Sequence, residues 1–129
     1  MKIADDILEA KNCELWTVAP DDSVQNALII MSQKNVGALL VMQDERLIGI
    51  LSERDYVRKI VGQQLDPEQT RVREIMTSDV VTVSPTATIE ECMQMMVRGQ
   101  FRHLPVLLGE IVVGLISIHD IVRALMGGK

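Results

Sequence analysis

The sequence predicts a mixed fold, α/β of the α+β kind, built from two β-α-β-β-α units packed about a pseudo-twofold axis. Three observations predict it. The chain carries a gapless internal repeat, and helix-like and strand-like periodicities recur in the same order in both copies. Its 129 residues, 47% hydrophobic and 24% charged, supply the core of one compact domain and exclude a disordered or collagen-like chain.

A shift of 65 residues aligns 17–60 with 82–125, and 12 of the 44 positions are identical, which marks a duplicated structural unit. Each copy opens on an extended Thr-Val-x-Pro piece, at Thr17 and at Thr82. Ser23 and Thr88 then stand as helix N-caps, and Glu91 makes a capping box of the second. Apolar residues at Val24, Ala27, Leu28 and Met31, and at Ile89, Cys92, Met93 and Met96, recur at helical spacing, so the methionines belong to the core. Two strands follow in each copy, 38–42 with 47–51 and 104–107 with 111–116, joined by short polar or glycine-containing turns. The second strand runs directly into a further helix, 53–61 or 118–126. A polar stretch containing Pro67 reads as a linker. The expected division is therefore 1–62 as the first unit with an N-terminal lead-in helix, 63–70 as linker, and 71–129 as the second unit, with its own helical lead-in over 71–76. Each unit is too small to bury its sheet alone, so the two are expected to pack face to face.

The identities cluster at the end of each unit, in Gly49-Ile-Leu-Ser52-Glu-Arg-Asp55 and Gly114-Leu-Ile-Ser117-Ile-His-Asp120. Serine falls at the helix N-cap and aspartate three residues into the first turn, so both face one helix mouth. That mouth is expected to present unpaired N–H groups and the positive end of the helix dipole, which suits a phosphate. The carboxylate beside it suits the two hydroxyls of a ribose. The same pair is also an ordinary capping arrangement, stabilising a helix by about 1 kcal/mol with no ligand at all. Both readings stand on the motif alone.

Cations gather around the two motifs in an otherwise acidic protein of net charge −5. Arg54, Arg58 and Lys59 accompany the first. His119 and Arg123 accompany the second, with Arg102-His103-Leu104-Pro105 opening the adjacent hairpin. Arginine pairs bidentately with phosphate and histidine adds tunable hydrogen bonding. Arg58 and Arg123 lie three residues after the aspartates, where a helix-surface ion pair is equally natural. An adenine slot is expected from Thr17, Val18, Val80, Val81 and Thr82 beside Ile50 or Leu115. Trp16 and Phe101 read as packing.

The net charge disfavours nonspecific binding to nucleic acid. The apolar runs fall short of a membrane span, and acids at Asp5, Asp6 and Glu9 argue against an export signal, which points to the cytoplasm. Cys13 and Cys92 lack CxxC spacing and read as free buried thiols; His103 and His119 form no zinc pattern, and no metal site is expected.

These residues resemble a known family, the tandem cystathionine β-synthase (CBS) domain pair or Bateman module. GILSERD and GLISIHD carry the resemblance, with the Thr-Val-x-Pro openings, RVREIMTSDVVTVSP between the units and RHLPV in the second hairpin. It covers residues 3–126. The resemblance implies two ligand clefts between the repeats, a flat homodimer, and adenosine-type ligands: AMP, ADP, ATP, S-adenosylmethionine or NAD(H). Carried over by position, Asp55 and Asp120 hold ribose, with Ser52 and Ser117 near phosphate. Ala38, in the Gly37–Val41 stretch, stands where the second repeat has His103, so the first hairpin has fewer cations and the second cleft is expected to be the better phosphate site.

The expected function is that of a small, stand-alone, non-catalytic sensor of adenine nucleotides acting on a separate protein target. The alternatives are a structural dimerisation module with vestigial pockets and, behind it, a nucleotide-hydrolysing enzyme. For the last, neither a Walker loop nor a recognisable nucleophile–base spacing is present.

Overall fold

The computed structural model describes residues 2–11 and 14–127. Cys13 lies outside them. The order of elements is α1 (Ala4–Ala10), β1 (Thr17–Val18), α2 (Val24–Lys34), β2 (Ala38–Gln43), β3 (Arg46–Ser52), α3 (Glu53–Asp55) continued by a π-helix (Tyr56–Val61), α4 (Val72–Ile75), α5 (Ile89–Gly99), β4 (His103–Leu108), β5 (Ile111–Ser117) and α6 (Ile118–Gly127). This is the mixed helix-and-strand content expected of two β-α-β-β-α repeats.

The chain forms two compact units, and they do not follow chain order. One comprises Trp16–Val80, the other Met1–Leu15 together with Val81–Lys129. The lead-in helix expected with the first repeat thus packs with the second. Its Ala4, Ile7 and Leu8 enter the core of Ile89, Cys92, Met96, Leu104, Val106, Ile116 and Ile121. Backbone bonds fix it there, from Ala4 N to Ala87 O (2.8 Å) and from Asp5 N to Pro85 O (2.9 Å). In the other unit α4 takes the corresponding place, Val72 and Ile75 joining Val24, Ala27, Met31, Leu39, Val41 and Leu51. Hydrophobic burial favours this, since each short lead-in has an apolar stripe that is stable only when a core covers it.

Within Trp16–Val80, β1 runs parallel to β2, and β2 pairs antiparallel with β3. The hairpin turns through Asp44 and Glu45, both in the left-handed region (φ 52° and 65°), the two-residue geometry that matches strand twist. In the other unit β4 and β5 form the hairpin. The expected strand at Thr82 reduces to a parallel bridge between Val83 and Val106, held by Val83 N to Pro105 O (3.0 Å) and Leu107 N to Val83 O (2.8 Å).

Both long helices start as expected. Ser23 Oγ accepts from Asn26 N (3.0 Å), and Thr88 Oγ1 accepts from Glu91 N (3.1 Å) while Glu91 accepts from Thr88 N (2.9 Å). The linker adds to this: Val24 N donates to Thr70 O and Gln25 N to Pro67 O, both at 2.9 Å, satisfying N–H groups that a helix start leaves open. Helix 53–61 differs from expectation. After Asp55 it widens into a π-helix, with Gly62 N bonded to Val57 O (3.0 Å). In this winding Ile60 is buried and Lys59 Nζ reaches Ile75 O at 3.0 Å, so Lys59 caps α4 instead of joining the cations at Asp55.

Cys92 is a free, buried thiol whose pKa is raised by burial and then by the neighbouring Glu91. Trp16 packs against the core with Lys34 Nζ 4.4 Å from its ring centroid, and Phe101 packs on the other core.

Candidate functional site

In both repeats the second hairpin strand ends on the serine, which caps the helix that follows. Ser52 N donates to Asp55 Oδ2 (2.9 Å) and Asp55 N to Ser52 Oγ (3.3 Å); Ser117 N donates to Asp120 Oδ2 (2.9 Å) and Asp120 N to Ser117 Oγ (3.2 Å). The capping reading therefore holds for both motifs. The helix mouths are less open than expected. Glu53 N is taken by Gly37 O (3.0 Å) and Ile118 N by Arg102 O (2.8 Å), because the first hairpin strand starts beside each mouth. With the N1 and N3 amides engaged, side chains must supply most of any anion binding.

Burial separates these two caps from the others in the chain. Asp6, Glu74 and Glu91 close equivalent boxes by accepting from Ile3, Arg71 and Thr88 N, and all three acids are exposed. Asp55 and Asp120 are each only 8% exposed, and they are the only buried acids among the described residues. A cap works without burial, whereas burying a carboxylate costs free energy unless partners compensate.

The compensating partners come from the lead-in segments and differ between the two sites. Thr77 Oγ1 donates to Asp55 Oδ1 (3.2 Å), and Thr77 is bridged to Ile50 by reciprocal backbone bonds of 2.9 Å. At the other site Lys11 Nζ donates to Asp120 Oδ2 (2.8 Å) and to Leu115 O (3.0 Å). Leu115 is the repeat equivalent of Ile50, so one ammonium does at Asp120 what a hydroxyl and a backbone amide do at Asp55. The first lead-in helix, seven residues against four, carries Lys11 to this point. Sequence reasoning missed both residues; Thr77, two residues after α4 within the inter-unit stretch, offered only a weak signal, and Lys11 offered none.

The motif glycines explain how the lead-ins dock. A Cβ on Gly49 would lie 2.6 Å from Met76 Sδ and 3.0 Å from Thr77 O; one on Gly114 would overlap the end of the Leu8 side chain. Each glycine is the seat on which a lead-in side chain rests.

The remaining expected residues fall around these carboxylates, each within its own unit. In Trp16–Val80, Ala38 pairs with Ser52 across the hairpin, Thr17 and Val18 lie on β1 beside Leu40 and Val41, and Arg54 and Arg58 are exposed at the start of the helix. Val80 is half-buried and in no strand. In the other unit His103 pairs with Ser117 and Pro105 with Leu115, Leu104 and Pro105 are buried, and Thr82 is half-buried. Arg102 and His119 are exposed. Arg123 lies 3.9 Å from Asp120 Oδ1, the helix-surface ion pair that its spacing allows.

Electrostatics at the second motif is unusually dense. Burial, the largest influence, pushes the Asp120 carboxyl up, but the Lys11 hydrogen bond, the Ser117 N–H and the Lys11 charge together hold it below the ordinary carboxylate range. Burial lowers the pKa of His103; Asp120 opposes this, while Lys11, Arg102 and His119 reinforce it, leaving a neutral imidazole near pH 7. Because the folded Asp120 pKa is depressed, its contribution to stability is full above the unfolded value of about 3.9 and is lost as pH falls through the folded value. Asp120→Asn is therefore expected to flatten the acid limb of stability, measured by urea unfolding between about pH 5 and pH 2.

Among the described residues no group of three or more His, Cys, Asp or Glu could hold a metal, and no helix is long and apolar enough to cross a membrane.

Set beside known proteins, the chain matches the CBS domain twice, at residues 5–62 and 72–127. It belongs to the CBS domain family. The mitochondrial CBS domain-containing protein CBSX3 of Arabidopsis thaliana is 40% identical over 117 residues, 87% of this chain; the chain spans 56% of that relative's length. A CBS-domain protein of Burkholderia ambifaria MC40-6 superposes with a TM-score of 0.96 at 41% identity, covering 99% of this chain and 96% of that one. The CBS domain pair of MJ0100, solved in complex with 5′-methylthioadenosine and S-adenosyl-L-methionine, shares the fold at a TM-score of 0.88 and 24% identity, covering 100% of this chain and 99% of that one. A tandem CBS pair is a regulatory module.

Proposed function

We propose that this CBS pair is a non-catalytic regulatory module that binds adenine nucleotides, such as AMP, ATP or NAD(H), at Asp55 and Asp120, and signals their level to a separate protein. One observation carries the reading. Of the five capping boxes among the described residues, the two in the repeated motif bury their acids. A buried acceptor beside a helix mouth suits a vicinal diol, and Arg54, Arg102, His103 and His119 stand where phosphates would extend. The MJ0100 pair supports the reading at the level of fold; the ligand class rests on this chain's own side chains.

Catalysis is not part of the proposal. A homodimer is part of it. The helix after the motif exposes apolar residues in each unit, Val57 and Val61 in one and Val122, Leu125 and Met126 in the other, at largely matching repeat positions, and each such face is suited to a second copy.

Isothermal titration with AMP, ATP, S-adenosylmethionine and NADH, with native mass spectrometry of the protein as purified, tests both parts. At least one ligand is expected to bind below about 1 mM, with a dimeric mass. Heat-free titrations with all four leave only the dimerisation module; a monomeric mass removes the dimer.

A further inference from the structure

The two sites share the Ser-x-x-Asp pair, and one of the points where they differ lies on the carboxylate itself and carries charge. Where Thr77 sets a neutral hydroxyl against Asp55, Lys11 sets an ammonium against Asp120. Ser52 N, Ser52 Oγ and Thr77 Oγ1, all neutral donors, hydrogen-bond the Asp55 carboxylate. Asp120 is neutralised by a contact of 2.8 Å, and a third ammonium hydrogen remains after the bonds to Asp120 and Leu115 O. The Lys11 side chain is 35% exposed, so a ligand can reach it. Arg102, whose carbonyl accepts from Ile118 N, and Arg123, 3.9 Å from Asp120 Oδ1, add exposed cations beside the same helix mouth. The balance at Asp120 is therefore positive.

We propose that Lys11 is a specificity-determining residue that makes the Asp120 site favour a ligand carrying a di- or triphosphate over the uncharged nucleoside. This deepens the adenine-nucleotide reading and rests on it for the nucleoside half only; the anion half stands on the cation cluster. A ligand phosphate competes with Asp120 for the ammonium, and because Lys11 sits at the end of α1, occupancy of this site acts directly on the N-terminal lead-in.

The test is isothermal titration of the full chain, in an Asp55→Ala background that leaves one site, with adenosine, ATP and inorganic tripolyphosphate. Lys11→Met and Lys11→Gln are each expected to weaken ATP and tripolyphosphate by about tenfold or more, the worth of one charge-assisted bond, and to leave adenosine within about twofold. Lys11→Arg is expected to keep anion binding. The unchanged adenosine titration shows that the site still folds. Equal losses for adenosine and ATP would overturn the proposal, as would tripolyphosphate binding that is the same, or absent, with and without Lys11. Tripolyphosphate binding that depends on Lys11, found where adenosine and ATP fail to bind, sustains the anion site and removes the adenine reading instead.

Discussion

Gly114→Ala is expected to destabilise the protein by about 1–3 kcal/mol, the usual cost of forcing extra volume into a packed core. The added methyl would occupy the space of the Leu8 side chain, which is buried between β5 and the rest of its core. Leu8→Ala alone is expected to cost about 2–5 kcal/mol through lost burial and the cavity left behind. The two together are expected to cost less than their sum, because removing Leu8 clears the space that the new methyl needs. Urea unfolding of the four proteins measures the coupling. Strict additivity would show that Gly114 is not the seat of the lead-in helix. Gly49→Ala has a milder expected effect on the same scale, since Met76 is flexible, although Thr77 O at 3.0 Å limits how far it can yield.

The second large effect concerns the carboxylates. Asp55→Ala and Asp120→Ala each remove half of a capping box, which costs about 0.5–2 kcal/mol without any ligand. Asp120→Ala also strips Lys11 of its partner. The nucleotide-dependent part is separate: a site filled at a hundred times its dissociation constant adds about 2.7 kcal/mol to stability. Thermal unfolding with and without nucleotide is expected to show each variant losing its site's share of that increment beyond the fixed capping cost. If the increment is the same in the wild type and both variants, the two aspartates serve the fold alone.

Local patterns made most of the fold legible. Repeat length, strand alternation, helix caps at Ser23, Thr88, Ser52 and Ser117, and the buried stripes of α2 and α5 depend on residues close in sequence, where spacing and side-chain chemistry speak directly. The candidate carboxylates were legible for the same reason, since a cap spans three residues. The π-helical winding after Asp55 was not, because the same apolar spacing serves an α-helix and depends here on where Ile60 and Lys59 find partners.

By itself the sequence determined the duplication, the mixed strand and helix order, the family, and the two Ser-x-x-Asp pairs. Only the tertiary structure decided which unit each lead-in joins, that the two acids are buried, and that Lys11 stands against Asp120 across 109 residues of chain. The reason is physical: a cap is written in neighbouring residues, but burial and long-range ion pairing depend on which core offers an apolar stripe the most surface to cover, and that competition is settled only when the whole chain packs.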